Sequence, residues 1–494
     1  MTVLHLSRCV VSLLFFIRCV VGKYQVIQLT EFCRNGARTT SYKGSGSRFE
    51  ETDSLEPNTL TPNGFRMQYL LGAYLNSSYP EIFSPSESKL IAPSDIEVFT
   101  SPRTVSQLSA SSQMQGILVL GTGPKTTLPD DSPYVKVPYQ DLSVTVSGDD
   151  ALPFGMNLIG FDQQPVFYDM LFMSDLQRTC PQASRFLESN RWSRYQTYAY
   201  LLEDAKNTLN ELGYTAALYT DQQEWNLEGI FQLTDQLISL QSYTGKLPEN
   251  ISESLFKELR LLSSLKTSLD LNDPDHIRLF TDSVARNILY SLRQKISYPN
   301  MTSSFRLFVG NQRGTFAHML LFNLTSVGCQ ISALKGKPVS NCATSPDFAS
   351  HFLYELLVDT KQDTDPNPSP KEYYVRVLFN GKVVKFCNSK EYCPFKEFSK
   401  LYEQIFFMDA EKKLELCGNP YDINKANTEM RQIIKPASVL IVIVGGSVIL
   451  MMCTYLLFRQ YSNADTDETR ITKDEPNPSL NLTQTIEHSF LPIS

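Results

Sequence analysis

The side chains that most often perform acid–base or metal chemistry are scarce in this sequence. Five of the 494 residues are His, scattered at His5, His276, His318, His351 and His488. Imidazole has an ordinary pKa near neutrality and is the commonest metal ligand in proteins. The chain contains no CxxC pair and no His set at zinc-site spacing from its Cys residues. We therefore predict no metal site and no cofactor.

The composition is that of a globular protein. Hydrophobic residues make up 42% and charged residues 20% of the chain, which excludes disorder or fibrous structure over most of its length. Lys and Arg total 45 against 52 Asp and Glu, and no basic run of five residues occurs. Nucleic acid is therefore not expected as a partner.

The first 22 residues are typical of a secretory signal peptide. Arg8 precedes an apolar run, and Gly22 is a small residue at a suitable position for cleavage. Arg18 interrupts the run, so an uncleaved anchor is the alternative interpretation.

A second apolar segment, 437–458, contains no charged residue and is long enough to cross a bilayer as a helix. The alternative, a buried core helix, rarely lacks charge over such a length. We predict a single-pass type I membrane protein with a juxtamembrane linker at 421–436 and a disordered cytoplasmic tail at 459–494.

With this topology the N-terminal bulk is lumenal or extracellular, at the cell surface or in an endosome or lysosome. Four Asn-x-Ser/Thr triplets precede the apolar segment and would be glycosylation sites there: Asn76, Asn250, Asn300 and Asn323. An oxidising compartment also permits disulfides. By spacing alone, Cys329 could pair with Cys342 and Cys387 with Cys393, leaving Cys33, Cys180 and Cys417.

The elements expected before residue 180 alternate between strand and helix. Strands are predicted at 24–30 and 96–99, and helices at 63–75 and 107–118. This alternation predicts an α/β fold whose central sheet is mostly parallel and is flanked by helices.

Residues 180–295 have helical patterns and little strand signal, which predicts a helical cap inserted into an α/β core of 23–179 and 296–420. Afterwards we expect a strand at 305–309, a helix at 315–323 and an amphipathic helix at 394–407. Between the last two, YYVRVLF and KVVKF flank Asn380-Gly381, the dipeptide preferred in a type I′ hairpin turn.

The segment Arg34-Asn35-Gly36-Ala37-Arg38 resembles the R-H-G-x-R-x-P motif that opens the histidine acid phosphatases. Further segments resemble later motifs of that family in the same order: LTPNGFRMQYLLGAYL, Thr179-Cys180-Pro181, FVGNQRGTF and FCNSKEYCPFKEF. The likeness extends from about residue 24 to residue 417. It implies the α/β core with a helical cap.

In such enzymes the motif His attacks phosphorus and Arg side chains hold the phosphoryl oxygens, while a later His-Asp pair binds phosphate and protonates the leaving alcohol. Asn35 replaces the nucleophile here, and Asn311-Gln312 replaces the His-Asp pair. A carboxamide can neither accept the phosphoryl group nor protonate an alkoxide. The resemblance therefore implies a protein without catalytic residues, although Asn is also an ordinary turn residue.

Arg34 and Arg38 stand at two phosphate-binding positions of the family motif. The third phosphate-binding position of the family is not assigned, because an ungapped alignment puts Arg103 two residues before the Arg expected there. A shifted loop could still bring its long side chain to the pocket.

The resemblance also bears on the cysteines. It implies disulfides from Cys180 to Cys417 and from Cys387 to Cys393, with Cys329–Cys342 as an additional bridge and Cys33 as a free thiol.

The leading hypothesis is a membrane-anchored phosphatase-like protein that is catalytically inactive and binds a phosphorylated or other anionic small molecule. We expect a positive, uncompensated pocket at Arg34 and Arg38. An active acid phosphatase that hydrolyses phosphomonoesters is one alternative. A surface glycoprotein with a vestigial pocket is another.

Overall fold

A computed structural model of the chain describes residues 24–42, 56–84, 92–125, 150–164, 169–215, 224–300, 302–337, 339, 342–360, 372–388 and 390–417. The chain divides into two units, 1–418 and 419–494, and all described residues belong to the first. The predicted signal peptide, linker, apolar segment 437–458 and tail lie outside the described residues. Within the described part of the chain, no helix is both long and apolar enough to span a bilayer.

Seven strands form one sheet: β1 (Tyr24–Arg34), β2 (Ile96–Thr100), β3 (Phe305–Gly310), β4 (His351–Asp359), β5 (Tyr373–Phe379), β6 (Lys382–Val383) and β7 (Cys393–Pro394). Their order is β2-β3-β1-β4-β5-β6, and β7 pairs with β5. The pairs β2–β3 and β1–β3 are parallel, whereas β4 and all later strands pair antiparallel. The prediction of a mostly parallel sheet is therefore wrong; the sheet is mixed.

The reason for this difference lies in the connections. Parallel neighbours need a long crossover, which the helices after β1 and β2 and the cap provide. The tight turn at Asn380-Gly381 can join only antiparallel strands, and both residues have the positive φ of a type I′ turn, at 47° and 76°. The second hairpin strand is limited to Lys382–Val383, shorter than the predicted KVVKF.

Thirteen helices are described. They are α1 (Pro62–Ser78), α2 (Pro80–Phe83), α3 (Thr104–Ile117), α4 (Leu176–Thr179), α5 (Pro181–Thr197), α6 (Glu203–Glu211), α7 (Leu227–Thr244), α8 (Glu253–Asp270), α9 (Pro274–Ser297), α10 (Gln312–Leu321), α11 (Val327–Leu334), α12 (Phe395–Phe406) and α13 (Ala410–Cys417). Helix α10 begins three residues before the predicted Thr315, because the Asn311 side chain accepts a hydrogen bond from the Gly314 amide and caps it.

Helices cover both faces of the sheet. One face packs on α1, α2 and α3, through side chains such as Leu75, Phe83 and Met114. The other packs on α9, α10 and α12, through side chains such as Ile288 and Phe316. Because neither face meets water, β3 and β4 are buried at every position.

The helical insertion has a core of its own. Helices α6, α7 and α8 share a cluster of buried residues that includes Leu209, Leu233 and Leu262. Helix α9 instead packs against the sheet, and the Gln28 side chain of β1 donates a hydrogen bond to Ser291 within it. The predicted cap range of 180–295 therefore includes a helix of the sheet layer.

Three disulfides join Cys180 to Cys417, Cys329 to Cys342 and Cys387 to Cys393, the pairs expected from the sequence. The first links the start of α5 to the end of α13. Cys33 is a free, fully buried thiol. The four sequon residues, Asn76, Asn250, Asn300 and Asn323, are at least partly exposed.

Candidate functional site

A cavity of about 360 Å³ lies where the three parallel strands end. Strand β1 ends at Arg34, β3 at Gly310 and β2 at Thr100, and the carboxyl ends of parallel strands share one edge of a sheet. All six site residues predicted from the sequence line this cavity: Arg34, Asn35, Arg38, Arg103, Asn311 and Gln312.

Arg34 is nearly inaccessible to solvent at 3% exposure. One guanidinium nitrogen donates to the Pro346 carbonyl, and the group lies 4.3 Å from the centre of the Phe348 ring. Its Nε has no hydrogen-bond partner in the part of the chain that the structure describes. Burial, with the charge of Arg38 as a smaller cause, lowers the pKa of Arg34 to about 9, so the group is still charged at neutral pH. A bound anion in the cavity would relieve the repulsion between the two cations.

Arg38 is paired with a carboxylate of the cap. Its Nη2 lies 2.9 Å from Asp235 Oδ1 and its Nη1 3.3 Å from Asp235 Oδ2. Asp235 also accepts hydrogen bonds from Thr40 and the Ser41 amide. Burial opposes ionisation of Asp235, but Arg38 and these donors outweigh it and keep the pKa of Asp235 below its ordinary value. The expectation of an uncompensated charge at Arg38 is therefore wrong.

Other Arg side chains supply positive charge without such pairing. Arg103 lies at the exposed rim, where Nη2 donates to the Ser174 carbonyl at 2.7 Å. Arg313, also exposed, follows Gln312 on α10. Among the described residues, Arg34, Arg103 and Arg313 have no carboxylate within 4.0 Å. The uncompensated charge thus lies on a different set of Arg residues from the one expected.

Two helix N-termini point towards the same cavity. Helix α3 begins after Arg103, without a side-chain cap at its first turn, and α10 begins after Asn311. Free amide groups and the helix dipole at such ends favour anions. Gln312 is the first residue of α10, and its side chain forms no hydrogen bond with another described residue.

Asn35 sits in the turn that leaves β1. Its Nδ2 donates to the Gly36 carbonyl at 2.9 Å, and its backbone amide donates to the Gly310 carbonyl. This turn passes close to α1, since a Cβ on Gly36 would lie 2.5 Å from the Gly64 carbonyl oxygen. The close approach fixes the direction in which Asn35 faces the cavity.

The sequence did not point to Lys266 and Asp270, which also line the cavity. Lys266 Nζ lies 3.0 Å from Asp270 and 3.1 Å from Glu228, and the Asp270 carboxylate accepts a further hydrogen bond from Tyr195. Burial works against the charge of Lys266, but the two carboxylates raise its pKa. The only sequence signal was the Lys–Asp spacing of four within α8, which is common in surface helices.

The alternative nucleophiles lie elsewhere. His318 is packed against Phe32, with ring centres 4.4 Å apart, and burial lowers its pKa to about 4. His351 is buried on β4, and Cys33 faces Gln113 on the far side of β1. The described residues that line the cavity include no His or Cys, and their one carboxylate, Asp270, is already engaged by Lys266 and Tyr195.

Chemically, this arrangement can hold an anion through guanidinium groups and helix N-termini. At Asn35 and Gln312 it offers carboxamide groups, which act as neither nucleophile nor proton donor at physiological pH.

No family model matches the chain, and no curated protein sequence matches it. Among solved structures, the phytase of Klebsiella sp. ASR1 is similar with a TM-score of 0.50 and 14% identity, over 79% of this chain and 97% of that chain. The Hafnia alvei phytase has a TM-score of 0.49 at 12% identity, over 78% and 98% of the two chains. A multiple inositol polyphosphate phosphatase of Bifidobacterium longum, in complex with inositol hexasulfate, has 0.48 at 9%, over 80% and 95%.

At these identities the likeness concerns the fold alone. The chain has the α/β fold of a phytase, with a central sheet flanked by helices. This agrees with the fold indicated by the resemblance to histidine acid phosphatases, and the function must be argued from the residues of the cavity.

Proposed function

We propose that this protein binds a phosphorylated or other anionic small molecule in the cavity at the sheet edge and does not hydrolyse it. The observation that carries the proposal is the composition of the cavity wall. Three Arg side chains that have no carboxylate partner among the described residues face it. Asn35 and Gln312 occupy the positions where the family motif has a nucleophile and a proton donor.

The charge balance supports binding. Arg34, Arg38, Arg103, Lys266 and Arg313 line the cavity, and Asp270 is the one acidic residue among the described residues that do so. Counting the partners Asp235 and Glu228 as well still leaves an excess of two positive charges. Partly buried positive charge of this kind attracts anions and is screened less by salt than a surface cluster.

The absence of phosphate-ester hydrolysis follows from the carboxamide side chains of Asn35 and Gln312. The amide nitrogen of Asn35 shares its lone pair with its carbonyl group, so it forms no phosphoenzyme. Gln312 has no proton to give to an alkoxide at physiological pH. General acid catalysis alone typically contributes about 10² to 10⁴ in rate, and the nucleophilic route is lost as well.

We propose further that the protein is a single-pass type I membrane protein, anchored by 437–458, with the cavity in a lumenal or extracellular domain. The three disulfides are consistent with an oxidising compartment.

Calorimetric titration of the purified protein with inorganic phosphate tests binding. We expect saturable binding that is lost in Arg34→Gln and retained in Arg66→Gln, an exposed Arg of α1 that does not line the cavity. The same preparations should not hydrolyse an aryl phosphate at pH 5. Hydrolysis that Asn35→Ala abolishes would support an active phosphatase, and absence of binding at millimolar phosphate would support a vestigial pocket.

A further inference from the structure

Residues 342–350, between α11 and β4, hold the side chain of Arg34 in place; we call them the support segment. The Pro346 carbonyl accepts a hydrogen bond from the Arg34 guanidinium group, and the Phe348 ring centre lies 4.3 Å from the carbon of that group. The backbone amide of Arg34 donates to the Ser350 carbonyl at 2.8 Å. The support segment therefore sets the position of Arg34 at the cavity wall.

The support segment contains neither helix nor strand and has few strong contacts of its own. The Ser345 amide donates to the hydroxyl group of Ser264 in α8 at 2.7 Å. Asp347 pairs with Arg260, but the Asp347 side chain is 70% exposed, and ion pairs at such positions contribute little. Ala349 has a φ of 60°, a left-handed conformation that a residue with a Cβ keeps only where its surroundings enforce it. The conformation of the segment therefore depends on how its two ends are fixed.

Strand β4 fixes one end of the support segment and a disulfide fixes the other. Cys342, at the start of the segment, is bridged to Cys329 of α11, and beside the bridge the Thr325 hydroxyl group donates to the Ala343 carbonyl at 2.7 Å. Both cysteines are partly exposed, whereas the cysteines of the other two described disulfides are at most 9% exposed. Because thiol–disulfide exchange requires access to a sulfur atom, a reductant should react with this bridge first.

We propose that the Cys329–Cys342 bridge positions Arg34 for anion binding, so that reduction of the bridge lowers the anion affinity of the cavity. This inference rests on the proposed function, because anion binding is the property that it makes dependent on redox state. Without the bridge, the support segment can relieve the strain at Ala349 and withdraw its contacts from Arg34.

The reductant required is a dithiol. One of its thiolates attacks a sulfur atom of the bridge, the S–S bond breaks, and a mixed disulfide forms. The second thiol of the reagent then displaces the protein sulfur. The dithiol is thereby oxidised to a disulfide, and Cys329 and Cys342 each become a thiol.

Calorimetric titration with inorganic phosphate tests the inference on the untreated protein, on the protein treated with dithiothreitol, and on the double variant Cys329→Ser, Cys342→Ser. We expect reduction to lower the phosphate affinity at least 10-fold and reoxidation to restore it. The double variant should bind as weakly as the reduced protein and should not respond to dithiothreitol. Ser332→Ala, a serine of the same helix α11, is the matched control and should behave as the wild type does.

Two further measurements connect the effect to the support segment. Alkylation followed by peptide mass spectrometry should identify Cys329 and Cys342 as the cysteines that the treatment reduces. Phe348→Leu should lower the phosphate affinity of the oxidised protein about 3- to 10-fold and diminish the further effect of dithiothreitol, because both changes act on the same contact with Arg34. Phe348→Tyr keeps the aromatic ring and should restore both the affinity and the response.

The outcomes separate the two proposals. Equal phosphate affinity before and after reduction, with both cysteines alkylated, would overturn the role of the bridge and leave the anion site standing. An effect of dithiothreitol that persists in the double variant, or that coincides with loss of the far-ultraviolet circular dichroism signal, would overturn it as well. Failure of the untreated protein to bind phosphate would overturn the proposed function together with this inference.

Discussion

Arg38 and Asp235 form a two-point ion pair that joins the turn after β1 to helix α7 of the cap, with N–O distances of 2.9 and 3.3 Å. Both side chains are almost completely buried. The pair therefore joins the cap to the core beside the cavity and neutralises the charge of one Arg of the cavity wall. Arg38 has a structural role here in addition to any role in binding.

Replacing Asp235 should destabilise the protein strongly. Asp235→Asn leaves Arg38 buried without its partner, which typically costs about 3 to 5 kcal/mol of unfolding free energy. Urea denaturation followed by circular dichroism measures the change. Glu203→Gln, which removes an exposed ion pair with Lys206 in the same cap, should cost less than about 1 kcal/mol. Equal losses of unfolding free energy in the two variants would show that the buried Arg38–Asp235 pair contributes no more to stability than an exposed ion pair.

Arg103 should contribute directly to anion binding, although it lies two residues before the Arg position expected from the alignment. Arg103→Gln removes a charge at the rim, and a charge-assisted hydrogen bond is worth about 1.5 to 3 kcal/mol. We therefore expect phosphate affinity to fall at least 10-fold in a calorimetric titration. An unchanged affinity, with Arg34→Gln still defective, would mean that Arg103 does not reach the ligand.

If the proposed function is correct, supplying a nucleophile and a proton donor at the two amide positions should produce hydrolysis. The double variant Asn35→His, Gln312→Asp supplies a nucleophile and a proton donor on the wall of the same cavity. We expect hydrolysis of an aryl phosphate at pH 5, with each single variant at least 100-fold slower than the double variant. Asn311 is kept in all of them, because its side chain caps α10. A double variant that binds phosphate but does not hydrolyse the ester would contradict the proposal that the two amides account for the absence of hydrolysis.

Glu31, buried in the middle of β1, should make the protein less stable as the pH rises. Burial raises the pKa of Glu31 from 4.5 to about 8, against a weaker opposite effect of the Gln113 hydrogen bond. Between these values the folded protein holds a proton that the unfolded chain has lost. The unfolding free energy then falls by up to about 1.4 kcal/mol per pH unit.

The window from pH 6.5 to 8 isolates this effect. Burial lowers the pKa of His318 from 6.5 to about 4, so its stabilising contribution is lost only as the pH falls below 6.5. Glu31→Gln should abolish the decline above pH 6.5 and stabilise the protein at pH 8, as measured by urea denaturation at several pH values. The exposed Glu249→Gln is the control. A decline that persists in Glu31→Gln would have another cause.

Much of the cavity wall could be predicted from the sequence because strand ends are local features. Arg34 is the last residue of β1 and Asn311 directly follows β3, so the two parallel strands bring both residues to one sheet edge. Arg38, Asn35 and Gln312 are one to four residues away from these ends. The sequence left open whether Arg103 reaches the cavity, because the residue is shifted by two positions in the alignment. In the structure Arg103 lines the cavity just before α3.

The partners of these residues could not be predicted. Asp235 lies 197 residues from Arg38, and a single Asp within an apolar helix gives no sign of its partner. Lys266 and Asp270 are likewise four residues apart on one helix, a spacing that is common for solvent-exposed ion pairs. The direction of β4 was missed for a similar reason: a strand buried on both faces has the same pattern in either orientation, and only its pairing with β1 decides the direction.

The bridge from Cys180 to Cys417 has a mechanical consequence. A pull on the chain from beyond Cys417 would pass through the covalent link to the base of α5. Helices α12 and α13 lie inside the loop that the bridge closes. Tension applied beyond Cys417 therefore could not unfold these two helices in sequence from their C-terminal side. While the bridge is intact, the load would reach the body of the protein beside α4.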